Sequence, residues 1–519
     1  MKTFLFIFFI PLVISCSKER STSNETPLLP PDNICDAPSQ IDMTGAKLWG
    51  DGTPESCTQA KLQQLINDGG KIKCNGGANP FTLTVSSSII IPNKEVIVDG
   101  DGKLTLSGNN SFRIFDIQPS SDQAHGTLFA IQNMSLINGK ANLKDDERGG
   151  AAIYGRAFGS LKVNTVNFEN NTGPLSASDD CGAVHTIVYK EAVFSNCNFR
   201  NNKGANGGAV GTIGSSMTFI NCIFESNGAT GNGGTFSKGG SGGAIYVDGT
   251  DQNGVNNFIL ICGCQFLNNT AGYQSGALNI IFYENKGSIA TIDKCTFDQN
   301  TCAIDKGGAC YLMNGSFSIT NSEFSQNNTP TQGGAIWGTN IDANIVNCTF
   351  WNNKAVDGSN GLGGAITLGA GNSKIVNCTF AENQAGNFAS AIFNGGTLAI
   401  TNNLFYKNLV GTGYQSNPYG GAVINKETNL TINGGNLQYP KDFTGQYGTM
   451  QDFWITSNVM TVDALVQALA DNGGPSKTMA LPANSPAIGK GTLNGSPATD
   501  QCGKPRKNPP DIGAFETQP

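Results

Sequence analysis

Apolar and polar residues alternate with a period of two through most of this chain, and Gly/Asn-rich turns cut the alternation into short runs. The runs recur. Nine times a phenylalanine is followed three residues later by an asparagine: Phe168/Asn171, Phe199/Asn202, Phe224/Asn227, Phe266/Asn269, Phe297/Asn300, Phe324/Asn327, Phe350/Asn353, Phe380/Asn383 and Phe405/Asn408. Between these pairs the chain returns to a Gly-Gly-Ala-like triplet, and the triplet alanines, from Ala151 to Ala422, lie 26 to 35 residues apart. A strand former follows the triplet in nearly every copy, as at Val184, Val210, Ile245, Leu278, Ile336 and Ile366. A unit this short cannot bury its own apolar face and must stack on its neighbours. The pattern predicts an all-β fold, a parallel β-helix, right-handed because connections between parallel strands take that hand.

Two residues before each phenylalanine stands a residue that shares its face by the period of two, and in six of nine copies it is cysteine: Cys197, Cys222, Cys264, Cys295, Cys348 and Cys378. Stacking then predicts adjacent inward ladders of rings and thiols. The asparagine after each phenylalanine is expected at a turn, bonding local backbone and closing the corner through its tolerance of the left-handed conformation. Upstream, Thr58 as N-cap, a stripe of Leu62, Leu65 and Ile66, and Gly69 as stop predict an amphipathic helix that closes the open end of the solenoid. Strands are expected at 81–85, 88–91 and 96–100. The organisation expected is an export signal at 1–15, a tether at 16–40, an N-terminal cap at 41–80, the β-helix at 81–455 and an irregular C-terminal cap at 456–519.

Charge excludes one class of partner. With 32 Lys and Arg against 39 Asp and Glu, and no basic run interleaved with aromatics, the chain is not built to bind nucleic acid. Met1-Lys2, the apolar stretch 4–14 and Ser15-Cys16 resemble a bacterial lipoprotein signal peptide, with Cys16 as the lipidated residue; the alternative is an ordinary secretory peptide cleaved near Ser15. The stretch is too short to span a bilayer. The protein is therefore expected to be exported and held on an outer membrane or cell surface by its lipid. Export places 15 cysteines in an oxidising space. Ladder thiols in successive coils stand about 4.8 Å apart with parallel Cβ vectors, too far for a bridge, whereas Cys57 and Cys74 bracket the helix and are expected to pair.

Near the C-terminus, Asp471-Asn472-Gly473-Gly474-Pro475, Asn484-Ser485-Pro486-Ala487-Ile488-Gly489, Thr499-Asp500-Gln501-Cys502-Gly503-Lys504-Pro505-Arg506 and Asp511-Ile512-Gly513-Ala514-Phe515-Glu516 resemble the choice-of-anchor Q domain of surface β-helix proteins. The Gly-Gly-Ala-Ile and Phe-x-x-Asn repeats resemble those of polymorphic outer-membrane proteins, and the expected solenoid resembles the pectin-lyase-like kind. These resemblances imply a surface lipoprotein with an adhesive rod. They transfer no catalytic residue.

Insertions gather between each asparagine and the next triplet, at 172–180, 228–241, 354–362 and 409–419, with two more near 249–257 and 283–287. Insertions aligned on one edge of a solenoid are often its binding face. Phe236, Tyr273, Tyr414 and Tyr419 lie in or near these corners and are candidates to stack on sugar rings. Asp146, Arg148 and Asp180 fall in corresponding corners of successive coils; they are candidates for a Ca²⁺ site or a lyase acid/base set, set against the reading of solvated loop charge. No cofactor beyond that Ca²⁺ is expected. His125 and His185 are too isolated to form a metal pair. The leading expectation is a binding or adhesion module for a polysaccharide or a host or cell-surface protein. The alternatives are a polysaccharide lyase or glycoside hydrolase on the same fold, and a structural spacer of the envelope.

Overall fold

The computed structural model describes residues 34–117, 127–141, 149–157, 159–175, 181–231, 240–250, 258–283, 287–411, 423–425, 430–440, 446–447, 450–451 and 459–518. They form a parallel β-helix. One coil serves for all: Val210–Ile213 lies on a first face, Ser216–Ile220 on a second, Ile223–Glu225 on a third, and Gly228–Ala229 on a short fourth strip. Each pairs in parallel, in register, with the same strand of the next coil, as in Val210↔Ile245, Met217↔Ile259, Phe224↔Phe266 and Ala229↔Ala271. Alternate residues point inward and make one continuous core from Trp49 to Val423.

The ring ladder is present as expected. Phe168, Phe199, Phe224, Phe266, Phe297, Phe324, Phe350, Phe380 and Phe405 stack with centroids 4.6 to 5.2 Å apart and planes within 9°. The six ladder cysteines are buried free thiols. Burial pushes the Cys197, Cys264 and Cys348 thiols well up, which suits small hydrophobes rather than nucleophiles.

The asparagines do something else than expected. The left-handed corner belongs to the residue before each of them, such as Asn170, Asn201, Asn352 (φ 52°), Glu382 and Lys407. The asparagine itself points inward and bonds between coils. Asn353 Nδ2 donates to Phe324 O (2.8 Å) and to Asn383 Oδ1 (2.9 Å), while its Oδ1 accepts from Asn327 N (3.1 Å) and Asn327 Nδ2 (2.9 Å). Both donors and both lone pairs of the amide are used, so a fully buried polar group carries no desolvation debt. A second left-handed row, Asn133, Asn196, Asn221, Asn321, Asn347, Asn377 and Asn402, turns the chain from the second face to the third. The triplet supplies the last corner. Gly333 takes φ 67°, and a Cβ on Gly334 would stand 2.0 Å from Gly364 O of the next coil.

The helix Gln59–Asp68 is capped by Thr58 and buries Leu62 and Ile66 in the core. The stack begins earlier than residue 81, because Lys47–Trp49 already pairs with Gly70–Cys74, and that strand with Val96–Ser107. The helix is thus a connection inside the first coil. Cys57 and Cys74 do not pair: they meet as hydrogen-bonded free thiols, with Cys57 Sγ also donating to Trp49 O (3.3 Å). Burial first, and then the neighbouring Cys57, push the Cys74 thiol up to about 12, which suppresses the thiolate that oxidation requires. The disulfide among the described residues is Cys35–Cys262.

That bond fixes a strap. Residues 34–42 run back along the outside of the corner between the second and third faces, tied by amides on three of the four coils from Asn221 back to Gln132. Asn221 takes both Cys35 N (3.0 Å) and Cys35 O (2.8 Å), Asn164 Nδ2 donates to Pro38 O (2.9 Å), and Gln132 takes both Ile41 N (2.9 Å) and Ile41 O (3.1 Å). The C-terminal segment folds along the same corner from the other end. Asn402 takes Thr492 N and O (both 2.8 Å), and Asn347 accepts from Arg506 (2.9 Å) and donates to Thr499 O (2.9 Å). It also covers Ala381, Leu404 and Tyr406 with Met479, Leu481 and Ile512.

The polar residues of the C-terminal motif hold this segment's own shape. Arg506 and Glu516, 2 % and 0 % exposed, pair at 3.1 Å; Glu516 also accepts from Asp511 N (2.9 Å), and Asp500 from Glu516 N (2.9 Å). Substituting Arg506→Met leaves the Glu516 carboxylate buried and unpaired. The expected cost is about 3 kcal/mol, taken by the segment before the rod, so limited proteolysis is expected to cut within 472–518 while the β-helix stays intact.

Candidate functional site

Aromatic and charged groups gather on the outward side of the first face. The same alternation that turns Ile153, Val184, Ile245, Ile336 and Ile392 inward turns their successors to the outer side of the sheet, where Tyr154, Tyr246, Trp337 and Phe393 are half-exposed while His185, Asn279, Tyr311 and Thr367 are buried. Register aligns those successors as a row: Asp116, Tyr154, His185, Gly211, Tyr246, Asn279, Tyr311, Trp337, Thr367 and Phe393. At one end the Arg113 guanidinium lies 4.6 Å from the Tyr154 ring centroid and 3.6 Å from Asp116. His185 sits edge-on to Tyr154 at 6.0 Å, as a strand side chain.

The row is best developed at Tyr311 and Trp337. Their rings stack at 4.4 Å, the Lys306 ammonium lies 4.8 Å from the indole centroid, and Trp337 Nε1 donates to Gln332 Oε1 (3.0 Å). Lys306 and Gln332 bridge in parallel at the corner where insertions enter. Tyr273 stands there too, half-exposed, beside Asp305, whose backbone N–H donates to Tyr273 O (2.9 Å). Gln274 Nε2 donates to Asp305 Oδ2 (3.0 Å). Burial, and then the charge of Asp305, raise the Tyr273 phenol; the same two causes push Tyr311 up to about 12. Both phenols are therefore neutral donors at physiological pH, not bases.

A half-exposed indole is locked by a ring, a cation and a hydrogen bond, and is flanked by amide, carboxylate, ammonium and phenol groups. It offers an apolar plate ringed by donors and acceptors. Among the described residues there is no group of three or more His, Cys, Asp or Glu able to hold a metal ion.

Of the residues singled out from sequence, Tyr273 lies in this site. Cys16, Asp146, Arg148, Asp180, Phe236, Tyr414, Tyr419 and His125 lie outside the described residues. Sequence reasoning missed Tyr311, Trp337, Lys306 and Asp305. The signal was there: aromatics recur at the position just after the strand-starting residue in Tyr154, Tyr246, Tyr311, Trp337 and Phe393. No helix among the described residues is long and apolar enough to cross a membrane. No protein-family model matches the chain, and no curated protein matches it.

Proposed function

We propose that this protein is an exported, lipid-anchored binding or adhesion module whose ligand is a glycan chain laid along the outward side of the first face. The stacked Tyr311–Trp337 pair carries the reading: the buried Tyr311 ring backs a half-exposed Trp337 indole, and the pair is rigid, surrounded by polar groups and placed at the insertion-bearing corner. Rigid aromatics bind with little loss of conformational entropy, and they dominate the energetics of such contacts. The row Tyr154, Tyr246, Tyr311, Trp337 and Phe393 runs along the rod, so an extended polymer meets several rings. Lipid anchorage through Cys16 and an outer-membrane or cell-surface location complete the proposal, and they rest on the leader and the C-terminal motif read above.

The test is binding of the purified chain to a panel of polysaccharides, with Trp337→Ala beside the parent. Loss of at least about tenfold in affinity for the polysaccharide retained by the parent is expected, since a central aromatic anchor contributes about 2 kcal/mol or more. Equal retention of the variant on every polysaccharide would remove this face as the site.

A further inference from the structure

The second face carries a groove that the reading above does not use. Its wall is the loop 492–497, and that wall is pinned at both ends: Asn402 holds Thr492 through both backbone groups (2.8 Å each), and Ser496 Oγ donates to Asn377 Oδ1 (2.9 Å). Between the loop and the face lies a cavity of about 650 Å³. Its floor is low because Ala399 and Gly434 occupy it, and it crosses the coils of Asn344, Lys374, Ala399 and Asn433. Four coils span about 14 Å at the inter-strand spacing, the length of roughly three sugar rings. Leu493, 58 % exposed, stands on the wall loop.

The groove's chemistry is uneven in a useful way. The exposed side chains of Asn344, Lys374 and Asn494 engage no other group among the described residues. Lys374 is the one charged residue of the lining. The carboxylate next along the strand, Asp342, is already bonded by Asn372 N (3.0 Å) and Nδ2 (3.3 Å). Amides supply paired donor and acceptor for vicinal hydroxyls, and a lone ammonium in a cleft without an opposing carboxylate selects an anion. We propose that this groove is a second, separate binding site, taking a short acidic oligosaccharide with Lys374 on a carboxylate and the asparagines on hydroxyls.

Titration calorimetry of the purified full chain with trigalacturonic acid and with its fully methyl-esterified form tests this. The acid is expected to bind about tenfold more tightly than the neutral ester, the change for one charge-assisted bond lost. Lys374→Gln, an exposed substitution, is expected to erase that difference, and Ala399→Trp, which fills the floor, to abolish binding of both. Trp337→Ala is expected to leave both unchanged. Absence of binding by the parent at millimolar acid, or parent-like binding by Lys374→Gln and Ala399→Trp, would overturn the proposal. Loss of binding in Trp337→Ala would move the ligand to the first face and overturn it equally, whereas failure of the polysaccharide test alone leaves this groove intact.

Discussion

Replacing Asn353 by leucine is expected to destabilise the rod by at least about 3 kcal/mol, while Asn352→Leu costs about 1 kcal/mol. The first change fits the space but strips partners from three buried groups: Asn327 N–H, one Asn327 amide N–H and the Phe324 carbonyl. Each orphan costs about 1–3 kcal/mol. Asn352, half-buried and left-handed, stands where other coils carry Gln299, Gln326, Glu382 and Lys407, so its change meets only the backbone penalty of an apolar residue at positive φ. Urea denaturation of the two variants beside the parent measures the difference. Equal losses would mean that the inter-coil amide row contributes no more than a turn residue does.

Truncating the neighbouring ring, Phe350→Ala, is expected to cost about 3–5 kcal/mol. Phe350 is fully buried between Phe324 at 4.9 Å and Phe380 at 4.8 Å, and strands above and below hold those rings in register, so the space cannot collapse. Denaturation of this variant by the same method checks it; a loss below about 1 kcal/mol would mean the stack relaxes around the hole. Because each coil touches only its neighbours, the damage is expected to show first as lost amide-exchange protection in the flanking coils.

What recurs could be read from the sequence, and what happens once could not. A ladder position such as Phe350 announces itself nine times, and its inward direction follows from alternation alone. The capping signals of Thr58 and Gly69 are local, and they marked the helix Gln59–Asp68. Asn353 reads as a turn residue because sequence shows spacing but not which neighbour an amide reaches; its partners are 26 to 30 positions away. The strap is harder still. Cys35 meets Asn221 across 186 positions and Cys262 across 227, in contacts made once, with no period to betray them. The Tyr311–Trp337 pair was legible in principle, since the alternation that buries Ile336 turns Trp337 outward.

The strap also decides how the rod bears load. A stack of coils pulled by its first strand would peel one coil at a time, each giving way at the strength of a single strand pairing. Here the chain between Cys35 and Cys262 is bypassed by a covalent bond, so any pull exerted through the first 33 residues enters the side of the rod at Cys262 and not at the strand Lys47–Trp49. The coils before the strand Ser216–Ile220 are relieved of that force. It is spread sideways across the two strands that flank Phe258–Cys262, Ser216–Ile220 and Ile289–Asp293, where all the hydrogen bonds of a strand must shear together.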